Sequence, residues 1–165
     1  KKYPDIFKLS KSKKSEIKNV IKPLGLYKQR SNRLYKLAQE LKKRKGRFPK
    51  ERNEVEDISM MGQYITNAYE LYVLKKSSPL LDVNMARVLE RFFGKRKKAD
   101  IRYDPYLQTL AYRVVDHERS KEHERSKELN WAVLDFAAMV CKKQMPLCES
   151  CLLKVFCKFY QDNKS

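Results

Sequence analysis

Apolar residues recur along most of the chain at intervals of three and four, interrupted by polar runs, prolines and glycines. Ile17, Val20 and Ile21 give residues 15–23 one apolar side, and the pattern stops near Pro23 and Gly25. Leu34, Leu37, Ala38 and Leu41 repeat at helical spacing behind Ser31, a residue type suited to an N-cap, with Gly46 and Pro49 beyond the end. A short turn of helix carrying Val55 and Ile58 follows Pro49. Turn-like residues around Gly62 feed a largely apolar helix from about Tyr64 to Leu74, and "KKSSP" then punctuates the chain. The stretch "LLDVNMARVLERFFG" opens a helix at Asp82 and stops at Gly94. Leu107, Leu110, Ala111 and Val114 mark another helix after Pro105. Trp131, Leu134, Ala137 and Ala138 mark the last, which runs from Asn130 into Cys141. No stretch sustains the alternation of a strand, so the predicted fold class is all-α.

One segment has no apolar position to bury. "HERSKEHERSKE" is a tandem duplication of His117–Glu122 in His123–Glu128. It reads as a solvated helix extension or loop, laced by charge pairs worth a few tenths of a kcal/mol each. His117 and His123, six positions apart, fall on different helical faces and make a poor metal pair.

Composition adds a partner to this picture. The 165 residues fit one domain or two small ones sharing a core, and 42% hydrophobic content with only four glycines and six prolines describes a folded chain. Against 20 acidic residues stand 38 Lys and Arg, a formal charge of +18 spread along the whole length. A compact body with that excess repels itself, which points to a polyanion, nucleic acid ahead of a membrane surface. No apolar run approaches the roughly 20 residues of a membrane span, and the start "KKYPDIFKLSKSKKSEI" lacks the apolar segment of a signal peptide. An intracellular setting, cytoplasm or nucleoid, follows as an expectation, and its reducing conditions favour metal ligation over disulfides.

That preference matters because all four cysteines lie in "CKKQMPLCESCLLKVFC", with spacing C-x6-C-x2-C-x5-C. The close pair Cys148 and Cys151 can grip one corner of a metal group, and the longer loops to Cys141 and Cys157 are large enough to wrap an iron–sulfur cubane. Four thiolates suit zinc as well, and the spacing leaves both open. Lys142, Lys143 and Lys154 stand close enough in sequence to offset the negative charge of a thiolate-bound cluster and to offer charge to phosphate.

The central stretch then resembles something known. "ISMMGQYITNAYELYVLKKSSPLLDVNMARVLERFFG" is similar to the helix-hairpin-helix and catalytic aspartate segment of the endonuclease III family of base-excision DNA glycosylases, whose cysteine spacing the chain also matches. "IKPLGLYKQRSNRL" looks like the family segment before the hairpin, so the likeness covers about residues 13 to 157. Within the family it leans toward the thymine or uracil glycosylases that act opposite guanine.

The resemblance implies a two-lobed helix-hairpin-helix glycosylase fold, with residues 1–80 a partial helical-barrel domain and 81–165 a helical domain carrying a [4Fe–4S] loop. Family helices that precede the equivalent of Lys1 are expected to be missing here. The active cleft is expected between the lobes, near Tyr64 and Asp82. Gly62 falls on the second hairpin glycine and Tyr64 on the position of the Schiff-base lysine of bifunctional relatives. Asp82 falls on the essential aspartate, and Cys141, Cys148, Cys151 and Cys157 on the ligands of one [4Fe–4S] cluster. Asn84, Arg87 and Arg91 fall on recurrent positions of the aspartate helix, read as structural or near-DNA support. Met60, Gly62, Gln63, Lys142 and Lys143 are the expected DNA contacts.

These residue types suit the chemistry. Breaking a glycosidic bond to a nucleobase develops positive charge on the sugar, which a carboxylate at a helix N-terminus stabilises while it orients or deprotonates a water. Asp82 alone would read as an ordinary N-cap, and Tyr64 as a core or capping aromatic instead of a pocket wall. Tyr64 has no amine, so the implied activity is monofunctional: release of mispaired thymine or uracil from double-stranded DNA by a monomer. An adenine-specific enzyme, a bifunctional glycosylase/lyase and a catalytically silent iron–sulfur DNA-binding module are the alternatives. The hairpin departs from type, since Ser59 and Met60 stand where the family has Pro and Gly. Glycine permits the dihedrals such a turn uses, so Met60 raises the question of the turn's shape.

Overall fold

The computed structural model describes residues 2–116 and 123–163, with His123 described by its backbone alone. Among the described residues the regular elements are all helical. In order they are α1 (Ile6–Ser10), α2 (Lys14–Ile21), α3 (Tyr27–Lys43), α4 (Arg52–Glu56), α5 (Gln63–Tyr72), α6 (Val83–Phe93), α7 (Pro105–Val115), α8 (His123–Met139) and α9 (Lys158–Asp162), with short 3-10 turns at Lys22–Leu24, Ile101–Tyr103 and Lys154–Phe156. The chain forms two compact units, Lys1–Thr66 and Asn67–Ser165.

In the first unit α1 and α2 pack on α3, and Ile17, Ala38, Leu41, Val55, Ile58 and Met61 are buried. The apolar spacing anticipated Ile17, Ala38, Leu41, Val55 and Ile58, whereas Val20 is exposed. Ser31 does not cap α3. The helix starts four residues earlier, after Leu26 in a left-handed conformation at φ +46°, and Ser31 lies buried inside it with its hydroxyl donating to the Lys28 carbonyl at 3.1 Å. A serine can satisfy its own hydroxyl within a helix, so its presence does not by itself mark an end. Helix α1, with no counterpart in the sequence expectations, is capped by Asp5, which accepts from the Lys8 amide at 2.7 Å.

The second unit is built around Leu81, Met85, Ala86, Leu89, Leu107, Ala111 and Val115, with Ile101, Leu110, Val114 and Val133 packed against them. Each Leu or Met buried fully contributes about 1.5–3 kcal/mol, so α6 and α7 carry the core of this unit. Helix α6 begins at Asp82 and ends at Gly94, whose φ of +123° excludes most other residues. Helix α7 begins with Pro105 behind a cap the sequence reading passed over. Asp104 is buried; its Oδ1 accepts from the Leu107 amide at 2.8 Å, and its Oδ2 from the Lys97 and Lys98 amides at 3.0 and 2.8 Å. The Leu107 amide, more than any other donor, lowers the Asp104 carboxyl from its ordinary range, with the Lys98 and Lys97 amides adding to it against the opposing effect of burial.

Two expectations about apolar faces change. On α5 the buried positions are Thr66, Asn67, Glu70 and Leu71, while Tyr64, Ile65 and Tyr72 are exposed, as is Val73 just beyond its end. On α8, Ala137 is buried, but Ala138 is exposed and Trp131 is 46% exposed, its indole donating to the Tyr72 hydroxyl at 3.0 Å under the Lys127 ammonium. The first copy of the duplicated hexapeptide, His117–Glu122, lies outside the described residues. The second copy, 123–128, forms the first turns of α8 as the helix extension expected, yet it buries Ser126.

Candidate active site and thiol cluster

The turn between α4 and α5 is closed by the Met61 amide donating to the Ile58 carbonyl at 3.0 Å. Met60, its third residue, has φ +79°, the value a type II turn requires at that place and one that glycine ordinarily supplies. Gly62 is not left-handed, and a Cβ added there would meet nothing within 4 Å. The left-handed turn therefore persists with methionine at the strained position. Two contacts hold it: the Ser59 amide donates to Glu40 Oε2 at 2.7 Å, and the Thr66 hydroxyl to the Met61 carbonyl at 3.0 Å. Because the left-handed conformation costs a non-glycine residue about 1–2 kcal/mol, Met60→Gly is expected to be more stable than Met60→Ala by about 1 kcal/mol. Both remove the side chain and only one relieves the dihedral; equal denaturant midpoints for the two variants would refute the strain.

The turn opens α5, whose N-terminal end favours an anion. Gln63 is half-buried there. Tyr64 is 45% exposed, which removes the reading of a core aromatic.

Asp82 is half-buried and caps α6. Its Oδ1 accepts from the Asn84 and Met85 amides at 2.9 and 2.8 Å, and its Oδ2 from the Asn84 side-chain amide at 2.8 Å. The Asn84 oxygen is engaged in turn by Arg87 Nη1 at 3.1 Å. The same guanidinium donates through Nε to the Cys141 carbonyl and through Nη2 to the Ala137 carbonyl, both at 2.9 Å. One rigid fork thus ties the carboxylate's partner to the end of α8. Arg91, one turn on, donates to the carbonyls of Lys142 at 2.6 Å and Lys143 at 3.2 Å, reaches Cys141 Sγ at 3.5 Å, and lies over the Phe159 ring. Both arginines act as structural braces.

Cys141, Cys148, Cys151 and Cys157 line one cavity of about 40 Å³, walled otherwise by apolar side chains such as Val88, Phe92, Phe136 and Leu153, with Arg91 and Lys154 at its edge. Burial pushes the Cys148 thiol up, and the neighbouring Cys141, Cys157 and Cys151 add to the shift against the opposing charge of Arg91. Among the described residues no three His, Cys, Asp or Glu side chains close on the point a single ion would occupy. Four thiols sharing one apolar-walled cavity are a donor set that fits a thiolate-held iron–sulfur cluster. Lys142 and Lys143 expose their side chains and line an open groove with Val83, Asn84, Arg87 and Arg96.

The structure also brings in residues that the sequence reading did not single out. Asn67, Glu70, Ser78 and Asn130 are buried polar side chains around the segment that leads to Asp82, and Glu40 supports the hairpin turn.

Comparison with known proteins adds four findings to this geometry. Residues 1–113 match the family model described as HhH-GPD superfamily base excision DNA repair protein. The chain is 33% identical to a thymine-DNA glycosylase of Aeropyrum pernix over 99% of its own length and 72% of the relative's. It is 38% identical to a thymine/uracil-DNA glycosylase of Pyrobaculum aerophilum over 98% of its length and 70% of the relative's. Among solved structures it is similar to that of a thermostable thymine-DNA glycosylase, with a TM-score of 0.84, 29% identity, and coverage of 98% of this chain and 72% of the other.

Proposed function

Because the chain belongs to the HhH-GPD superfamily of base excision DNA repair proteins, we propose that it is a monofunctional DNA glycosylase that releases thymine or uracil opposite guanine from duplex DNA. The observation that carries the reading is Asp82, a carboxylate with both oxygens held by α6 donors at the head of a helix that lines the core of the second unit. The names of the two similar relatives support the choice of base.

In this reading a water adds to the sugar carbon, its proton passes to Asp82, and the electron pair of the carbon–nitrogen bond leaves with the base. Asp82 also offsets the positive charge that develops on the sugar. Its Oδ2, with the single Asn84 side-chain donor given above, is the oxygen suited to the water. Tyr64 acts as a wall of the pocket for the extruded nucleotide. The backbone of Met60, Gly62 and Gln63 at the α5 end and the side chains of Lys142 and Lys143 contact phosphates. The four cysteines hold one [4Fe–4S] cluster, which staples the segment after α8; the reading requires no redox step of it. The protein acts as an intracellular monomer on double-stranded DNA.

A single-turnover assay on G·T and G·U duplexes tests this reading. Base release is expected to give strands that break only after alkali or heat, and borohydride is expected to trap no protein–DNA adduct, because Tyr64 offers no amine for an imine. Efficient trapping would reject the monofunctional reading, and release from neither mismatch would reject the proposed substrates.

A further inference from the structure

Residues Ser78, Pro79, Leu80 and Leu81 form a buried segment without regular structure, and it ends at Asp82. Buried irregular backbone has no ladder or helix to satisfy its polar groups, so side chains must do so. Here two carboxamides serve. Asn130 on α8, fully buried, accepts from the Leu80 amide at 2.6 Å and donates to the Ser78 carbonyl at 3.2 Å and to the Ser126 carbonyl of its own helix at 2.9 Å. Asn67 on α5, also buried, donates to the Pro79 carbonyl at 2.8 Å. The Ser78 hydroxyl is taken up by buried Glu70 at 2.7 Å.

We propose that Asn130, assisted by Asn67, is a positioning residue for Asp82: the two carboxamides fix the backbone one residue before the core position Leu81 and so set where the carboxylate stands. The inference rests on the reading of Asp82 as the reacting carboxylate. The α6 donors fix Asp82 relative to its own helix, whereas Asn130 fixes the chain that enters the helix to α8. Removing the Asn130 carboxamide leaves the Leu80 amide buried without its acceptor, and the segment relieves this by moving. Displacement of a reacting group by about 1 Å costs as much as about 100-fold in rate.

The test uses the whole chain, a G·U duplex and three readouts: single-turnover release, duplex Kd, and hydrogen exchange of the Leu80 amide. Asn130→Ala is expected to slow release by about 100-fold with an unchanged Kd and faster Leu80 exchange. Val115→Ala, a cavity in the same core, serves as the stability control and is expected to lower the melting temperature while keeping the parent rate. Should Asn130→Ala fail to fold, Asn67→Ala, which removes a donor to Pro79, is expected to slow release in the same direction by a smaller factor. A parent rate in the folded carboxamide variant, or an equal loss in Val115→Ala, would overturn the positioning role. A parent that releases no base from any mismatch would instead reject the glycosylase reading, and the exchange measurement still decides the clamp: unchanged Leu80 exchange in the variant overturns it.

Discussion

Asp82→Asn is expected to slow base release by about 10²–10⁴-fold while leaving duplex affinity and folding stability close to those of the parent. The separation follows from the two tasks of this side chain, the observed cap of α6 and the proposed part in the chemistry. As an N-cap, asparagine is about as good as aspartate, and its amide oxygen can still accept from the Asn84 and Met85 amides that now face Asp82 Oδ1. What asparagine lacks is the charge that stabilises a positive sugar and the basic oxygen that takes a proton from water. Its amino group would also face the Asn84 side-chain amide, a donor against a donor, where Asp82 Oδ2 now accepts. Asp82→Ala removes charge and cap together and is expected to lose about 1 kcal/mol of stability besides. Single-turnover rates, thermal melts and anisotropy titrations on the three proteins separate these contributions. A rate within tenfold of the parent for Asp82→Asn would remove the residue from the chemistry.

The parts of this site that were legible in the sequence are those whose residue types have one common use. An aspartate before an amphipathic run gave the start of α6, Gly94 gave its end, and the pattern after Pro105 gave α7. Helical periodicity likewise gave an all-α chain, which the structure and the family share. The illegible parts are buried polar residues. Periodicity offers no reason to bury Asn67, Glu70, Asp104 and Asn130, yet each is buried and hydrogen-bonded, Asp104 and Glu70 by residues nearby in sequence and Asn130 by the distant Leu80 amide. Their use is set by irregular segments that need donors and acceptors, and such segments leave no periodic trace. Trp131 fails in the opposite sense, because a large ring with one polar edge can remain half in water beside Tyr72 and Lys127. Met60 shows a third case: the left-handed turn survives without its glycine because Glu40 and Thr66 hold it from both sides.

Loss of one cysteine is expected to unfold the region after α8 before the rest of the second unit. Between Val140 and Cys157 the described structure holds a single 3-10 turn, and Met145, Leu152, Val155 and Phe156 are exposed, Leu152 to 95%. So little buried apolar surface cannot offset the conformational entropy of ordering these residues, at about 1–2 kcal/mol each for backbone alone. In the proposed reading a cross-link through four thiolates would supply the missing stability, since a group bound only by the folded chain contributes its binding free energy to folding. Protein purified without oxygen is therefore expected to hold about four iron and four sulfide per chain, with broad absorbance near about 400 nm. Cys148→Ala is expected to lose the iron and the absorbance, to lower the melting temperature, and to expose the segment after Val140 to protease. The braces of Arg87 and Arg91 would lose their ordered carbonyl partners at Cys141, Lys142 and Lys143, so rapid amide exchange should spread from that segment toward the first turns of α6. Asp82→Asn should retain full iron, which keeps the two effects distinct. One zinc per chain without sulfide would replace the iron–sulfur reading by a zinc staple, and a metal-free protein with parent stability in Cys148→Ala would remove the staple altogether.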